Sequence, residues 1–408
     1  MIELELQGEY VMDFFCRRND GLGFREVKNN AVTSDLFIPA DLKEFLKENS
    51  RVSWNNLLKR SEYNGDEQKL IRDIMDDIRR KIETSANVAI FLNSTTKNKP
   101  YSFGGETLKL LYVSGTELRG DEDFEKNIFS AVEEMTYSFH HEGKRIFAFR
   151  PDLSFFINGI FLGYAELKSN FTNQTAKNNG RNKVITDYLE AVWEYTKIAN
   201  GNDVQQSLRR TMLRPFEKSI HLVTTDINNT FILRNPGQFF DDAKKGFQEN
   251  MISISSFRPV VEKVFKPLPT VLDENTDPRI RFEEAMRSLY SKKMVEKEIL
   301  YYNFMAYTYK TITVTENGRK VQKKEYKDKT GKLMCPRPKQ KFGCDRIIDR
   351  VQEFLDHESE PNYYIEQLRA ELVAMNAPQD LIERVVAERD SYCNNKYVYS
   401  LLLQYAAG

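Results

Sequence analysis

Residues 150–168, which read RPDLSFFINGIFLGYAELK, restrict the fold more than any other stretch of the chain. Leu153 to Ile157 is an apolar run, and Ile160 to Ala165 is a second. Between them stands Asn158-Gly159, the strongest short signal for a β-hairpin, because both residues tolerate the positive φ of a tight turn. The stretch therefore reads as a buried hairpin with charge at its open end. Asp152 enters the first strand. Glu166 and Lys168 leave the second, two residues apart and hence on one face of it. A buried hairpin accepts an Asp, a Glu and a Lys at its mouth only for a reason, because each charge must be desolvated there.

The loop length decides whether those charges meet. A two-residue Asn-Gly loop pairs Ile157 with Ile160 and sets Asp152 opposite Ala165. Directly opposed residues share a face, so Asp152 would then point away from Glu166. A three-residue loop, with Gly159 in the left-handed region, pairs Phe156 with Ile160. Asp152, Glu166 and Lys168 then share one face. If the cluster is functional, the expected loop is the three-residue type with a glycine bulge.

Two carboxylates and a lysine on one face are the parts of a metal-dependent phosphodiesterase. Carboxylate oxygens suit hard Mg²⁺. The metal acidifies a bound water and neutralises phosphate charge. The lysine is a point charge able to stabilise a pentavalent oxyanion or to position the water. Pro151-Asp152 followed by Glu166-Leu167-Lys168 resembles the PD-(D/E)xK nuclease motif. The longer phrase, with Asn158-Gly159 between the acids, is similar to the nuclease domain in the restriction (motor) subunit of type I restriction–modification enzymes. The resemblance implies Asp152, Glu166 and Lys168 as catalytic residues, with Asp152 and Glu166 as Mg²⁺ ligands. It also implies a further acid on a helix ahead of the hairpin, for which Glu67, Asp73, Asp76 and Asp77 are available. The family carries a Gln-x-x-x-Tyr motif after the hairpin. Tyr188 matches its tyrosine as a supporting residue, while Val184 stands where the glutamine belongs.

Lys plus Arg equals Asp plus Glu, at 60 each, so binding by bulk charge is excluded, although a locally basic channel is not. Cys16, Cys335, Cys344 and Cys393 have no Cys-x-x-Cys spacing, which argues against zinc knuckles and for a reducing compartment. The first residues carry no cationic, apolar leader, and no run is long enough to span a membrane. A cytoplasmic protein is expected.

Along the chain, Leu6 to Cys16 predicts a helix, and so does the segment from Ala40 to Asn49. The clearest helix of the first half starts at Gly65-Asp66-Glu67, with Leu70, Ile71, Ile74, Ile78 and Ile82 as its stripe. Strands are predicted at Val88–Leu92, at Leu108–Val113 and within Asn127–Tyr137. His140 and His141 read as a polar loop. The polar stretch from Ser169 to Asn182 suits a substrate-facing loop or a linker. A helix is expected over Val184–Ala199, and a strand pair at Ile220–Thr225 and Phe231–Arg234. Pro259 to Pro278 reads as an exit from the first domain. Arg279–Lys310 reads as helical. Thr311–Lys332 is then an exposed hairpin dense in Lys and Arg, suited either to a DNA-backbone contact or to a solvated flap.

Cys335 to Gln340, CPRPKQ, precedes a helix containing Ile347, Ile348 and Val351. It is similar to a Pro-Arg-x-x-Gln phrase at the start of type I motor domains. The resemblance implies adenine contacts for Gln340, with Arg337 beside it. Tyr397–Leu403 reads as the strand before a phosphate loop, and Gln404 to Gly408 resembles the small-residue run that follows it. The motor is thus expected to be truncated, with ATP used by the complete enzyme only and not hydrolysed by this chain.

Together these readings predict an α/β chain. A PD-(D/E)xK mixed sheet flanked by helices spans 1–260, a mainly helical linker with the basic hairpin spans 261–332, and the start of a RecA-like motor spans 333–408. The expected reaction is Mg²⁺-dependent phosphodiester hydrolysis, as in a type I site-specific deoxyribonuclease. Expected partners are double-stranded DNA and the specificity and methyltransferase subunits of a restriction complex, with no membrane. The alternatives are a catalytically silent nuclease-fold scaffold and a stand-alone DNA repair nuclease.

Overall fold

The computed structural model describes residues 9–96, 100–114, 124–141, 143–168, 174–183, 216–226, 228–239, 264–270, 275–316, 319–327, 331–356 and 363–393, together with Val261, Leu272 and Asp273. The chain divides into two compact units, Met1–Pro338 and Lys339–Gly408.

A seven-stranded mixed sheet organises the first unit. Its strands lie side by side in chain order: β1 (Arg25–Val27), β2 (Phe129–Glu133), β3 (Leu153–Ile157), β4 (Ile160–Leu167), β5 (His221–Thr225), β6 (Thr230–Arg234) and β7 (Lys266–Pro267). β1 and β2 run parallel, as do β4 and β5. The other neighbours are antiparallel. β3 is buried along its whole length, and so is β4 except for Leu167 at its end. One face packs Phe155, Ile157, Leu162 and Val223 against Phe15, Ile74, Met286 and Tyr290. The other packs Phe156, Phe161, Tyr164 and Leu222 against Tyr137, Phe149 and Phe216. Continuous apolar runs are what such two-sided burial requires.

Helices cover the sheet: α1 (Glu9–Cys16), α2 (Pro39–Asn49), α3 (Arg51–Leu58), α4 (Glu67–Thr84), α5 (Val88–Ser94) and α6 (Pro278–Tyr290). α4 follows its expected stripe, burying Leu70, Ile71, Ile74 and Ile78. The Asp66 carboxylate caps it by accepting from the Gln68 and Lys69 amides. That satisfies donors which otherwise have no intrahelical partner.

Four local readings change. Val88–Leu92 is helical, not a strand: the Asn87 side chain caps Ile90 N–H, and a short buried apolar run carries no period of its own. Of Leu108–Val113 only Leu108 joins a strand, Glu106–Leu108, while Leu110 and Leu111 are buried in the core. His140 and His141 lie in a strand, Tyr137–His141, paired with Lys144–Phe149. The helix expected to reach Lys310 ends at Tyr302 and gives way to a strand, Phe304–Ala306.

The turn between β3 and β4 departs from expectation in an informative way. Asn158 (φ 49°) and Gly159 (φ 76°) make a two-residue turn, with Ile157 paired to Ile160. There is no three-residue loop, because the turn is buried. Asn158 accepts from Ile128 N–H and donates to the Leu110 carbonyl and to Asn127 Oδ1. A Cβ on Gly159 would collide with the Ile38 carbonyl and the Leu42 backbone. The register shift comes instead from inside the strand. Phe156 pairs with Phe161, but Phe155 pairs with Gly163, so Leu162 is an extra residue. This β-bulge flips the alternation below it. Leu153 then pairs with Ala165, and the next step brings Asp152 opposite Glu166.

Three helices, Pro338–Asp356, Tyr363–Ala374 and Gln379–Cys393, with a short turn at 375–378, hold the described residues that follow Arg337, and the last two helices pack on each other. The strand expected at Tyr397–Leu403 lies outside the described residues. Among the described residues no helix is long and apolar enough to cross a membrane.

Candidate active site

The bulge puts the charges of the hairpin mouth together. Glu166 is 3% exposed, at the end of the central strand β4. Its Oε1 accepts from Lys168 Nζ at 2.6 Å and from Lys183 Nζ at 2.6 Å. Its Oε2 is buried with no hydrogen-bond partner among the described residues. Asp152 Oδ2 accepts from the Leu167 amide at 2.6 Å, which clamps the carboxylate across the mouth of the hairpin. The Asp152 carbonyl in turn accepts from Glu134 N–H, tying the entry of β3 to the end of β2.

Lys183 is the residue that sequence reasoning missed. It lies in the stretch 174–183, which packs against the sheet strands β4, β5 and β6. The Asp226 carboxylate holds the segment by accepting from Ala176 N–H at 2.7 Å. Gly180 lies against Thr224, where a Cβ would collide with the threonine Oγ1. Thr224 is the β5 partner of Glu166. The glycine thus permits the close approach that carries Lys183 onto the carboxylate. Lys183 Nζ also meets the Arg150 carbonyl at 3.4 Å and lies 5.2 Å from the Phe149 ring centroid. The only sequence signal was a lysine in an amide-rich stretch, which is too common to single out.

Burial and a neighbouring negative charge set the electrostatics. Asp152 is pushed up to about 6, first by desolvation and then by Glu166. The Leu167 N–H bond, Lys183 and Lys168 oppose the rise, in that order. Asp152 is therefore poised between its charged and neutral forms near neutral pH.

The remaining expected residues lie elsewhere. Tyr188 is outside the described residues. Arg337 is exposed near the end of the first unit, and Gln340 is exposed in the first turn of the helix Pro338–Asp356. The acids of α4 have partners of their own: Glu67 with Lys47, Asp77 with Lys81 and the Tyr101 hydroxyl. Asp76 lies 3.9 Å from Arg79 and Asp73 4.0 Å from Arg72. Among the described residues no group of three or more His, Cys, Asp or Glu could hold a metal.

The donor set still suits a hard cation. It consists of two opposed carboxylates, one with a buried oxygen lacking a partner. Mg²⁺ is commonly held by one or two carboxylates plus waters and substrate phosphate, without a full protein cage. No thiol or imidazole is among these donors, as zinc would prefer.

The structure is that of an α/β protein with a central mixed sheet flanked by helices, and two carboxylates and two lysines gather at the mouth of its central hairpin. The chain belongs to the family of type I restriction enzyme R protein N termini, whose model matches residues 27–245. That span contains every strand of the sheet from Val27 to Arg234 and all four charged residues of the site. Among curated proteins none matches the sequence.

Proposed function

We propose that this chain is the nuclease-bearing part of a type I restriction enzyme R subunit, and that it cleaves double-stranded DNA by Mg²⁺-dependent phosphodiester hydrolysis of the PD-(D/E)xK kind. One observation carries the reading. Asp152 and Glu166 come opposite each other on one face only because a bulge interrupts β4, and two lysines converge on Glu166. A bulge that burdens a buried strand with like charges has no stabilising purpose, and such devices gather at active sites.

Asp152 and Glu166 would hold Mg²⁺ through their carboxylate oxygens. Bound there, the metal would supply charge neutralisation and acidify the attacking water. The protein's own groups do the rest. Leu167 N–H fixes the Asp152 carboxylate. Lys168, 12% exposed, is held by Glu166 with its ammonium at the site, ready to offset the charge that builds on the phosphoryl oxygens. Lys183 holds the other side of Glu166 Oε1 and offsets the repulsion between the two acids. In this reading Arg337 and Gln340 serve adenine binding in the motor of the complete enzyme, and the specificity and methyltransferase subunits choose the target.

The test is plasmid cleavage with Mg²⁺ by the R subunit assembled with its partner subunits. Lys168→Ala should cut the rate by about two to three orders of magnitude, the range for one preorganised charge, and leave Mg²⁺ binding intact. Asp152→Ala should abolish Mg²⁺ binding by calorimetry. Cleavage by Asp152→Ala at the parental rate would overturn the proposal and leave a silent scaffold.

A further inference from the structure

The basic hairpin has two unlike faces. Its strands, β8 (Tyr309–Glu316) and β9 (Arg319–Tyr326), pair antiparallel without a register shift. Directly opposed residues share a face. One face carries Tyr309 with Tyr326, Thr311 with Lys324, Thr313 with Gln322, and Thr315 with Lys320. The other carries Lys310 with Glu325, Ile312 with Lys323, Val314 with Val321, and Glu316 with Arg319. Both acids of the hairpin fall on the second face. There Lys310 pairs with Glu325 at 2.8 Å, and Ile312 and Val314 are half-buried. On the first face Thr311, Thr313, Thr315, Lys320, Gln322 and Lys324 are all exposed.

The first face therefore presents hydroxyls, an amide, two lysines and two tyrosines, with no acid among its described positions. A hairpin that is merely solvated has no cause to sort its charges, since salt bridges in water contribute little wherever they lie. The aromatic end points the same way. The Tyr309 and Tyr326 rings lie 4.7 Å apart, and Tyr307 adds a third ring 5.4 Å from Tyr326. All three are 40–49% exposed. Exposed aromatic rings beside lysines and threonines form a surface for a phosphate backbone and its sugars. Lys320 and Lys324 are four residues apart, about 13 Å along the strand, enough to reach different phosphates. The hairpin is anchored at its base, where Phe304–Ala306 pairs with Lys332–Met334 and Lys327 N–H bonds the Thr308 carbonyl.

We propose that the Tyr309–Lys320–Lys324–Tyr326 face of this hairpin is a second DNA-binding surface, which grips the backbone of duplex DNA without reading its sequence. It shares no residue with the hairpin-mouth site and does not depend on cleavage there.

Binding of the whole chain to a fluorescent duplex of about 30 base pairs, read by anisotropy in EDTA, tests this. Lys320→Gln with Lys324→Gln removes two charges from the first face. Lys310→Gln with Lys323→Gln removes the same two charges from the second. The first pair should weaken duplex binding about tenfold at about 50 mM salt, and make the slope of log affinity against log salt shallower by about 2. The second pair should leave both near the parental values. Equal weakening by both pairs would show bulk charge only, and no weakening by the first pair would show a solvated flap. Either result overturns the proposal. So does a first-face loss confined to a single strand of equal length or to polyglutamate. Because nothing is cleaved in EDTA, a chain inactive as a nuclease would leave this test intact.

Discussion

Asp152→Asn should make the metal-free protein more stable, although it removes a residue central to the proposed reaction. The ionised carboxylate is half-buried beside Glu166, and its pKa rises from an ordinary 3.8 to about 6. Between those values the native state holds a proton that the unfolded chain has released. Stability therefore falls as pH rises through this window, and the full cost is present above about 6. Two units correspond to about 3 kcal/mol. Asn still accepts from the Leu167 amide, but that bond loses its charge, so the net gain is about 2 kcal/mol. In a unit of this size that moves the melting temperature up by roughly 3 °C. The assay is thermal and urea unfolding in EDTA at pH 8 and at pH 5, for both proteins. The gain should be near full at pH 8 and shrink at pH 5, where the wild-type carboxylate is largely protonated. Saturating Mg²⁺ should stabilise the wild type more than the variant, because only the wild type keeps both ligands. An Asn variant less stable than the wild type at pH 8 in EDTA would refute the reasoning. It would mean that the two lysines more than compensate the burial and the repulsion.

Lys183→Met should lower cleavage by about a hundredfold. It should also raise the Asp152 pKa further, as one of the cations opposing the rise is lost, and so shift the acid limb of the pH–rate profile upward. A merely structural lysine would leave that limb in place. Gly180→Ala should reproduce the Lys183 phenotype without touching a charge, since its Cβ would displace the segment from Thr224; unchanged cleavage would show that Lys183 reaches Glu166 by another route. Gly159→Ala combines a positive φ with a collision at the Ile38 carbonyl, and should destabilise the fold by more than about 2 kcal/mol in urea titrations.

The sequence by itself determined the hairpin, its two-sided burial and the residue types at its mouth. Apolar runs on either side of Asn158-Gly159 encode these locally, through alternation, turn propensity and the cost of exposing apolar surface. α4, the β5–β6 pair and the basic hairpin were legible for the same reason: each carries its own period, cap or turn. Val88–Ser94 was not, because a short buried run looks alike in either conformation and only its capping Asn87 and its packing choose the helix. The face on which Asp152 lies was decided by tertiary structure. Local rules offered a longer loop as the way to bring it round to Glu166, but the buried pocket formed by Ile38, Leu42, Leu110, Asn127 and Ile128 accepts only the tight turn. The strand shifted its register at Leu162 instead. Lys183 belongs to the same class. Its approach to Glu166 depends on Gly180 lying against Thr224 and on Asp226 holding Ala176, contacts between residues about 50 positions apart. Periodicity and propensity act over a few residues, so a contact of that span exists only once the sheet has brought its two ends together.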